Sequence, residues 1–441
     1  MELNHKYRNP RLAALAAVAI SLGAVMTIIT QTPATVAQSN KIWRKVQGDI
    51  GDGIQFECEE DELISSIKDA SYDWSLREVT APVDLNEDGG VSSIDEGAYE
   101  SVASSPNAEE ISVAPIFLNK RFECSRFQMY IDEHGGDTQI RKVLKHNSLH
   151  AVRAISRQKS DYFWGSSTAI LALTDTDITT ATSQTITLKN GYGRSDITNA
   201  AFIADKFRVN ERVAVLNAGV LVLGAVGKIT AISTTTPSLT ITFDVAPTAD
   251  ATNNLQVVKA NTLDNAKSDY NRGLVGMVDG MFTASVHGLS HANWVVAKAD
   301  TTGGRFSGVR LHGAADEVNN QGGGKINKIF MAQGVYRDQL SLYQAAVRYD
   351  DPFAMEMDGD VKSKGRKFFK SRRVPNGYTI VGDMSGLTRW QLLPNKDGSM
   401  RWGDGKERED RSAIVFRIDV PLQLIWKNRK KFGYFTGLTE Q

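Results

Sequence analysis

The acidic residues between Asp84 and Asp95 have the spacing of a calcium-binding loop. Side chains with oxygen atoms stand at the first, third, fifth, ninth and twelfth positions, and Gly89 stands at the sixth, where such a loop turns sharply. The twelfth position is Asp95 instead of the usual Glu, and Pro82 stands where an incoming helix would lie. Two interpretations therefore stay open, a calcium site and an acidic turn in a loop.

Two pairs of histidines have a spacing that could share a metal ion. His146 and His150 are four residues apart, and so are His287 and His291. A zinc hydrolase motif needs a Glu directly after the first His, and neither pair has one or shows an evident third ligand. We predict ordinary surface or core histidines.

Two glycine-containing segments match catalytic motifs only in part. Gly322–Lys325 lacks the distant first Gly of a phosphate-binding loop, and Ile326 replaces the Ser or Thr that would hold magnesium. These glycines instead predict the C-terminal cap of a helix. Gly288–Ala292 lacks the closing Gly of a nucleophile elbow. The sequence thus offers no catalytic or cofactor-binding residues, and we expect a protein that is not an enzyme.

The overall charge argues against a general nucleic-acid binder. The 441 residues include 51 Lys and Arg and 51 Asp and Glu, so the formal net charge is zero and any contact with DNA must be local. The only cysteines, Cys58 and Cys124, are too few for a disulfide framework, and we expect two buried thiols. The length predicts two or three structural units.

Charged residues in the C-terminal third form neighbouring blocks of opposite sign. An acidic cluster between Asp350 and Asp360 directly precedes a basic run between Lys362 and Arg373. Such blocks can pair within one chain or between identical chains. Binding of nucleic-acid phosphates is the alternative. Such a site would be expected to have aromatic stacking partners for the bases beyond Phe368 and Phe369. We favour self-complementary charge.

The N-terminal segment has the outline of a secretory signal. Basic residues precede the uncharged stretch Leu12–Ile29, and small residues follow it as far as Ala37. The stretch is rich in Ala instead of Leu, and it continues into Lys41–Val46 without an evident linker. A helical N-terminal arm is therefore the other interpretation.

The patterning of apolar residues indicates an α+β protein. Steps of three and four predict a helix over about 138–160, whose basic face is either solvated or complementary to an acidic partner. Turn formers between Val79 and Phe122 predict a long hairpin-like loop. The Thr-rich segment 166–262 alternates as half-buried antiparallel strands do, and its sharp change of composition predicts a separately folding β module inserted in a host domain.

From residue 263 onward, helices and strands follow one another without the regular βαβ units of a doubly wound sheet. We predict helices at 309–319 and 337–349, and strands at 326–332, 378–381, 389–393, 412–420 and 422–427.

The order of these parts resembles that of the major capsid protein of tailed bacteriophages, whose shell fold is also found in encapsulins. It is similar in particular to coat proteins of phages that infect cyanobacteria. The resemblance is carried by five segments: WSLREVTAP at 74–82, LNKRF at 118–122, DYFWG at 161–165, NRGLVGM at 271–277 and KFFKSRRVP at 367–375.

The resemblance implies a phage-capsid-like fold in four parts. These are an N-terminal arm (1–48), an extended loop and long spine helix (49–165), an inserted β-rich domain (166–262) and a peripheral and axial α+β domain (263–441). It implies a structural virion protein that self-assembles into an icosahedral shell around phage DNA, without a cofactor or a membrane.

The implied partners are identical subunits in pentamers and hexamers, portal, scaffold or decoration proteins, and packaged DNA on the inner face through local basic patches. The competing interpretation is an exported bacterial surface protein with a signal peptide, a calcium-stabilised loop and a β adhesion-type module.

Overall fold

The computed structural model is an α+β protein in which strands predominate over helices. The structure describes residues 62–70, 72–75, 78–86, 107–125, 137–260, 273–291, 293–347, 362–363, 366–391, 401–407 and 413–441. The proposed arm at 1–48, residue Cys58 and the acidic cluster at 350–360 lie outside these ranges.

The helices and strands are numbered here in chain order. The helices are α1 (Glu62–Ser66), α2 (Asp137–Trp164), α3 (Ala200–Ala204), α4 (Met277–Phe282), α5 (Gly308–Gly322) and α6 (Gln333–Val347). The strands up to the middle of the chain are β1 (Lys68–Ala70), β2 (Asp73–Ser75), β3 (Glu78–Asn86), β4 (Asn107–Val113), β5 (Ile116–Ser125), β6 (Ala172–Thr174), β7 (Ser183–Lys189), β8 (Arg212–Asn217), β9 (Val220–Ser233), β10 (Ser238–Phe243) and β11 (Gln256–Lys259). The later strands are β12 (Lys298–Asp300), β13 (Lys328–Met331), β14 (Lys362–Ser363), β15 (Arg366–Lys370), β16 (Thr379–Gly382), β17 (Leu387–Gln391), β18 (Arg401–Glu407), β19 (Ala413–Trp426) and β20 (Phe432–Phe435).

The chain forms two compact units. The first contains, of the described residues, 119–125, 137–155, 401–407 and 413–420. In this unit β18 pairs with β19 in antiparallel register, with Arg401 opposite Asp419 and Glu407 opposite Ile414. The rings of Phe122 and Phe416 stack with centroids 5.5 Å apart and form part of its core.

The predicted buried thiol at Cys124 is present in the first unit. Cys124 is 1% exposed, and the side-chain amide of Asn147 on α2 donates to its Sγ over 3.6 Å. Burial raises the pKa of the thiol, so Cys124 is a core residue and not a reactive nucleophile.

The second unit contains the remaining described residues and is built around a six-stranded sheet. The strand order is β12-β20-β16-β13-β15-β14, with parallel pairing between β12 and β20 and between β13 and β15. Its central strands are almost fully apolar and buried, as in Ile329, Phe330 and Met331 of β13. This mixed pairing agrees with the α+β class predicted from the irregular order of helices and strands.

The glycines after α5 cap that helix, as predicted. Ser307 caps the start, where its hydroxyl accepts from the amide of Arg310. At the other end Gly323 has a φ of 60°, and the amides of Gly323 and Gly324 donate to the carbonyls of Asn319 and Val318. A left-handed residue at this position suits Gly because it has no Cβ to clash.

The hairpin-like segment predicted at 79–122 contains longer strands than its turn formers indicated. β3 and β4 have nine and seven residues and pair antiparallel, with Val79 opposite Val113 and Ala81 opposite Ile111. Alternate residues of β3, namely Val79, Ala81, Val83 and Leu85, are at most 5% exposed. The glycines and prolines that predicted short pieces lie mainly at 87–106, outside the described residues.

The two strands predicted at 412–420 and 422–427 are one strand, β19. Residues 414–419 pair with β18, whereas 422–426 pair with β17. Pro421 lies between these two ladders, where its missing N–H breaks neither register. The prediction of two separate strands was therefore wrong.

Six strands between Ala172 and Lys259 close into a barrel. Their order around it is β10-β7-β6-β11-β8-β9, and every neighbouring pair is antiparallel. The interior is a core of aliphatic residues with Phe207 and Phe243, nearly all at most 3% exposed. The alternation predicted at 240–245 is present in β10, where Leu239, Ile241 and Phe243 face the core.

The loop that follows α4 is held against the end of β19 and the turn after it. The buried guanidinium of Arg429 donates to the carbonyls of Gly280, Thr283, Ala284 and Trp294. The indole of Trp426 lies directly on α4 and donates to the carbonyl of Val275 over 3.2 Å.

Replacing Gly280 by Ala is expected to destabilise the protein by about 1–3 kcal/mol, because a Cβ there would lie 1.8 Å from Cζ2 of the fully buried Trp426. Gly313→Ala on α5 is the control, since a Cβ there meets nothing within 4 Å and Ala favours the helix. Thermal melting of both variants checks this expectation, and equal melting temperatures would contradict it.

Candidate functional site at the root of the barrel

The histidines of the two pairs lie in different surroundings. The rings of His146 and His150 lie edge to face on α2 with centroids 4.4 Å apart. His287 uses Nε2 to accept from the amide of Trp426, and His291 uses Nδ1 to accept from the amide of Asn293. Within the described ranges, no group of three His, Cys, Asp or Glu side chains is arranged to hold a metal ion.

Gly288, the first residue of the segment compared with a nucleophile elbow, lies in a tight turn over 286–289. Val286 and Leu289 exchange both backbone hydrogen bonds, and the two residues between them, His287 and Gly288, have φ angles of 56° and 79°. Two left-handed central residues define a two-residue hairpin turn. Burial lowers the pKa of His287 to about 3, with the nearby Arg429 adding to the effect, so this imidazole is neutral.

The calcium-like spacing begins inside a strand. Asp84, Leu85 and Asn86 are the last residues of β3, and the register with β4 shifts at this point. Residues 87–95, which complete the spacing, lie outside the described part of the chain.

A cluster of buried charges lies where the barrel meets the end of α2. Lys259, the last residue of β11, places its Nζ 2.9 Å from Oδ2 of Asp161 on α2 and 3.4 Å from Oε1 of Glu211. The guanidinium of Arg373 donates to the other oxygen of Asp161. The side chains of Asp161 and Lys259 are 4% and 3% exposed, so water screens this pairing very little.

We call the barrel end that contains Lys259 and Glu211 the barrel root. Glu211 directly precedes β8, and Arg157 of α2 approaches it at 3.8 Å. Asp205 and Lys206 directly follow α3, and Asp205 is 3.9 Å from Arg372. The root therefore joins three parts of the chain: α2, the barrel strands β8 and β11, and the segment after β15.

Opposite charges keep the central pair ionised despite burial. Burial by itself would raise the pKa of Asp161, but Lys259 and Arg373 hold it below its ordinary value. Burial would likewise lower the pKa of Lys259, but the carboxylates of Asp161 and Glu211 raise it. Each of these charges is paired with an opposite charge, so the arrangement is suited to attaching the barrel to α2.

Lys206 is a buried lysine whose positive charge the nearby carboxylates do not fully compensate. Its Nζ lies 2.6 Å from the hydroxyl of Tyr192 and 4.1 Å from the ring centre of Phe202. Burial lowers the pKa of Lys206 to about 7, although the charge of Asp161 acts in the opposite direction. The folded protein thus carries a lysine that titrates near neutral pH.

A second attachment joins the barrel to the six-stranded sheet. Arg194 pairs with Asp196, and its guanidinium stacks 4.3 Å from the ring centre of Phe282. Tyr378 donates to the carboxylate of Asp196 as well, and its ring packs edge to face on Phe282 at 5.6 Å. Burial raises the pKa of Tyr378, as does the neighbouring carboxylate, so the phenol remains a donor.

The two ends of the barrel segment meet at the same place. The amide of Gly273 donates to the carbonyl of Ser167 over 2.7 Å. Asp279 accepts from the amide of Ser167 over 2.5 Å. The chain therefore leaves the end of α2, forms the barrel and returns beside its starting point.

Two of the basic residues that the sequence placed on a basic helix face or in a basic run lie at or near the barrel root. Lys159 on the expected basic face of α2 is 2% exposed, so that face is not simply solvated. Arg373, from the basic run at 362–373, pairs with Asp161. Neither Asp161 nor Lys259 was a candidate from sequence. The signal that was available is Lys259 itself, a charge inside the apolar run Val257–Ala260.

Comparison with known proteins gives structural neighbours only. No family model and no curated protein matches the chain. The chain is similar to a structure of the cyanophage A-1(L) capsid asymmetric unit, with 8% identity over 86% of this chain and 93% of that chain and a TM-score of 0.49. Gordonia phage Cozz gives 12% identity over 86% of both chains and a TM-score of 0.41.

A third neighbour is the capsid of a native GTA particle, with 11% identity over 85% of this chain and 90% of that chain and a TM-score of 0.38. Since the TM-scores lie below 0.5, we take the function from this chain's own elements and not from these neighbours.

Asp161→Asn is expected to reduce the free energy of unfolding by about 3–5 kcal/mol, because it removes the buried carboxylate that pairs with both Lys259 and Arg373. Asp175→Asn is the control, since Asp175 and Lys189 form a partly exposed pair at 2.7 Å whose loss costs at most about 1 kcal/mol. Urea unfolding measures both variants, and similar losses would contradict a special role for the root.

Lys206→Met is expected to change the pH dependence of stability. Below about pH 7 Lys206 is protonated in both states; between pH 7 and about 10 only the unfolded state keeps the proton, so the wild-type protein gains stability as pH rises. The variant lacks this gain. Its free energy of unfolding relative to wild type is therefore highest near pH 6 and falls toward pH 9. A constant difference across this range would contradict the buried titration.

Proposed function

We propose that this chain is a structural virion protein that assembles with identical copies into the icosahedral capsid shell around phage DNA. The observation that carries the proposal is the order of its described elements: the paired strands β3 and β4, then the 28-residue helix α2, then sheets that include the 14-residue strand β19. This is the order of extended loop, spine helix and peripheral and axial parts that the sequence resemblance implies.

The dimensions of these elements suit a thin shell. A helix of 28 residues is about 42 Å long, which exceeds the diameter of a small domain. Long elements give a subunit lateral surface that its own core does not cover. Many such contacts around each subunit can be individually weak while the closed assembly is stable.

The charge balance supports the same function. Equal numbers of acidic and basic residues, 51 of each, limit the repulsion among many packed copies. Local patches of one sign can still set the register between neighbours or contact DNA on the inner face.

The finer organisation is part of the proposal. Residues 49–165 supply the extended loop and spine helix, 166–262 the inserted β-rich domain, and 263–441 the peripheral and axial domain, with 1–48 as an arm. The meeting of Ser167 and Gly273 supports an insertion at this point. Pentamers and hexamers of identical subunits are the proposed units, with portal, scaffold or decoration proteins as further partners.

The exported-protein alternative depends on features that the structure describes only in small part. The features behind it, the stretch 12–29 and most of the spacing Asp84–Asp95, lie outside the described residues. No helix among the described residues is both long and apolar enough to cross a membrane. The closed barrel is compatible with either function and favours neither.

Phe117→Ser is expected to reduce particle formation by the purified full-length chain, as seen by negative-stain electron microscopy. Phe117 on β5 is 56% exposed, and a large exposed aromatic side chain is the kind of residue that anchors an interface. The conservative variant Phe117→Leu should retain particles, while both variants should melt like wild type. A wild-type chain that forms no shells, alone or with a co-expressed scaffold, would refute the proposed function.

A further inference from the structure

The barrel has a second end, opposite the root, that makes different contacts. β8 runs from Arg212 at the root to Asn217, and β11 runs back from Gln256 to Lys259. Six residues of strand span about 17 Å. We call the β8–β9 turn and the adjoining segment 245–254 the barrel tip.

Hydrogen bonds hold the parts of the barrel tip together. Asn217 donates to the carboxylate of Asp250 over 2.9 Å, and the amide of Gly219 donates to the side chain of Gln256 over 3.0 Å. The amide of Thr248 donates to the carbonyl of Leu223 over 2.8 Å. These contacts fix residues 217–223 beside residues 245–250.

The tip exposes apolar side chains that the barrel core does not use. Val220 and Leu223 are each 70% exposed, and Val245 is 57% exposed. No charged residue lies within 217–223 or 245–249. The two segments lie so close together that only Gly fits at position 224. Its φ is 79°, and a Cβ there would lie 2.7 Å from the carbonyl oxygen of Ala246.

The root holds the tip in a fixed position. Buried ion pairs at Asp161 and the stacked Arg194 attach the barrel to its host at two separate places. Two attachments restrict rotation more than a single flexible connection would. A contact made by the tip therefore costs less ordering than one made by a flexible module.

The apolar surface of the tip is small, and this limits the kind of partner that it can bind. Three aliphatic side chains expose far less than the ~800 Å² per partner that a stable complex in solution buries. An accessory protein binding from solution would need a larger surface. An identical copy that is already held nearby by other contacts would not, because its effective concentration is in the millimolar range.

From this we propose that the barrel tip contacts the barrel tip of a neighbouring copy within the assembled shell. The three exposed apolar side chains of the tip carry no charge and are complementary to the same side chains of a second copy, while the Asp250 carboxylate of each tip is held by Asn217 and by the amide of Thr252. The contact rests on the proposed function, since only assembly brings the tips together. Single subunits in solution should not associate through it.

Disulfide trapping in assembled full-length particles tests the contact. Val220→Cys should give at least about tenfold more interchain disulfide than Thr242→Cys, an exposed position on the barrel wall, because effective concentration is high only where two tips meet. Mass spectrometry identifies the linked cysteines and separates them from Cys58 and Cys124. Free subunits of Val220→Cys should remain unlinked under the same oxidation.

A second variant measures what the contact contributes. Val220→Ser, Leu223→Ser and Val245→Ser combined should leave the melting of the free subunit unchanged but make particles dissociate at lower denaturant concentration. Intact particles with no tip-to-tip disulfide and unchanged dissociation would overturn this inference alone. A wild-type chain that forms no particles would overturn the proposed function and the inference with it.

Discussion

The carboxylate of Asp161 is the group on which the second unit depends most. It lies at the end of a long helix, is almost fully buried, and is neutralised by cations from two distant parts of the chain, Lys259 and Arg373. Burying three charges together is tolerable only if each finds its partner, because an unpaired charge in such a place is far more costly than the pair is favourable. This requirement gives α2, the barrel and the segment after β15 one permitted arrangement.

The second attachment works by different physics. At Arg194 the guanidinium combines a partly exposed ion pair with stacking on Phe282, and so gains from packing as well as from charge. An interface that uses both kinds of contact depends less on ionic strength than one that uses ion pairs alone. The barrel itself needs no such support, since a closed ring of strands has no free edge to protect.

Much of the local structure could be predicted from sequence, and the site could not. The 3.6-residue period gave α2 within a few residues, and the end was missed because Tyr162, Phe163 and Trp164 are buried on several sides. The change of composition at residue 166 indicated strands, but closure into a barrel depends on pairings such as β11 with β6 that no local pattern encodes. Asp161 and Lys259 are 98 positions apart, so neither segment by itself indicates that the two side chains pair.

The meeting of Ser167 and Gly273 bears on how such a chain could change over evolutionary time. Segments whose ends adjoin can be exchanged or lost with little disturbance to the surrounding fold. Here the host would keep Arg373 beside Asp161 if the barrel and its Lys259 were removed. The double neutralisation therefore makes the barrel replaceable: a descendant could carry a different outer module, or none, and still retain a paired charge at the end of its long helix.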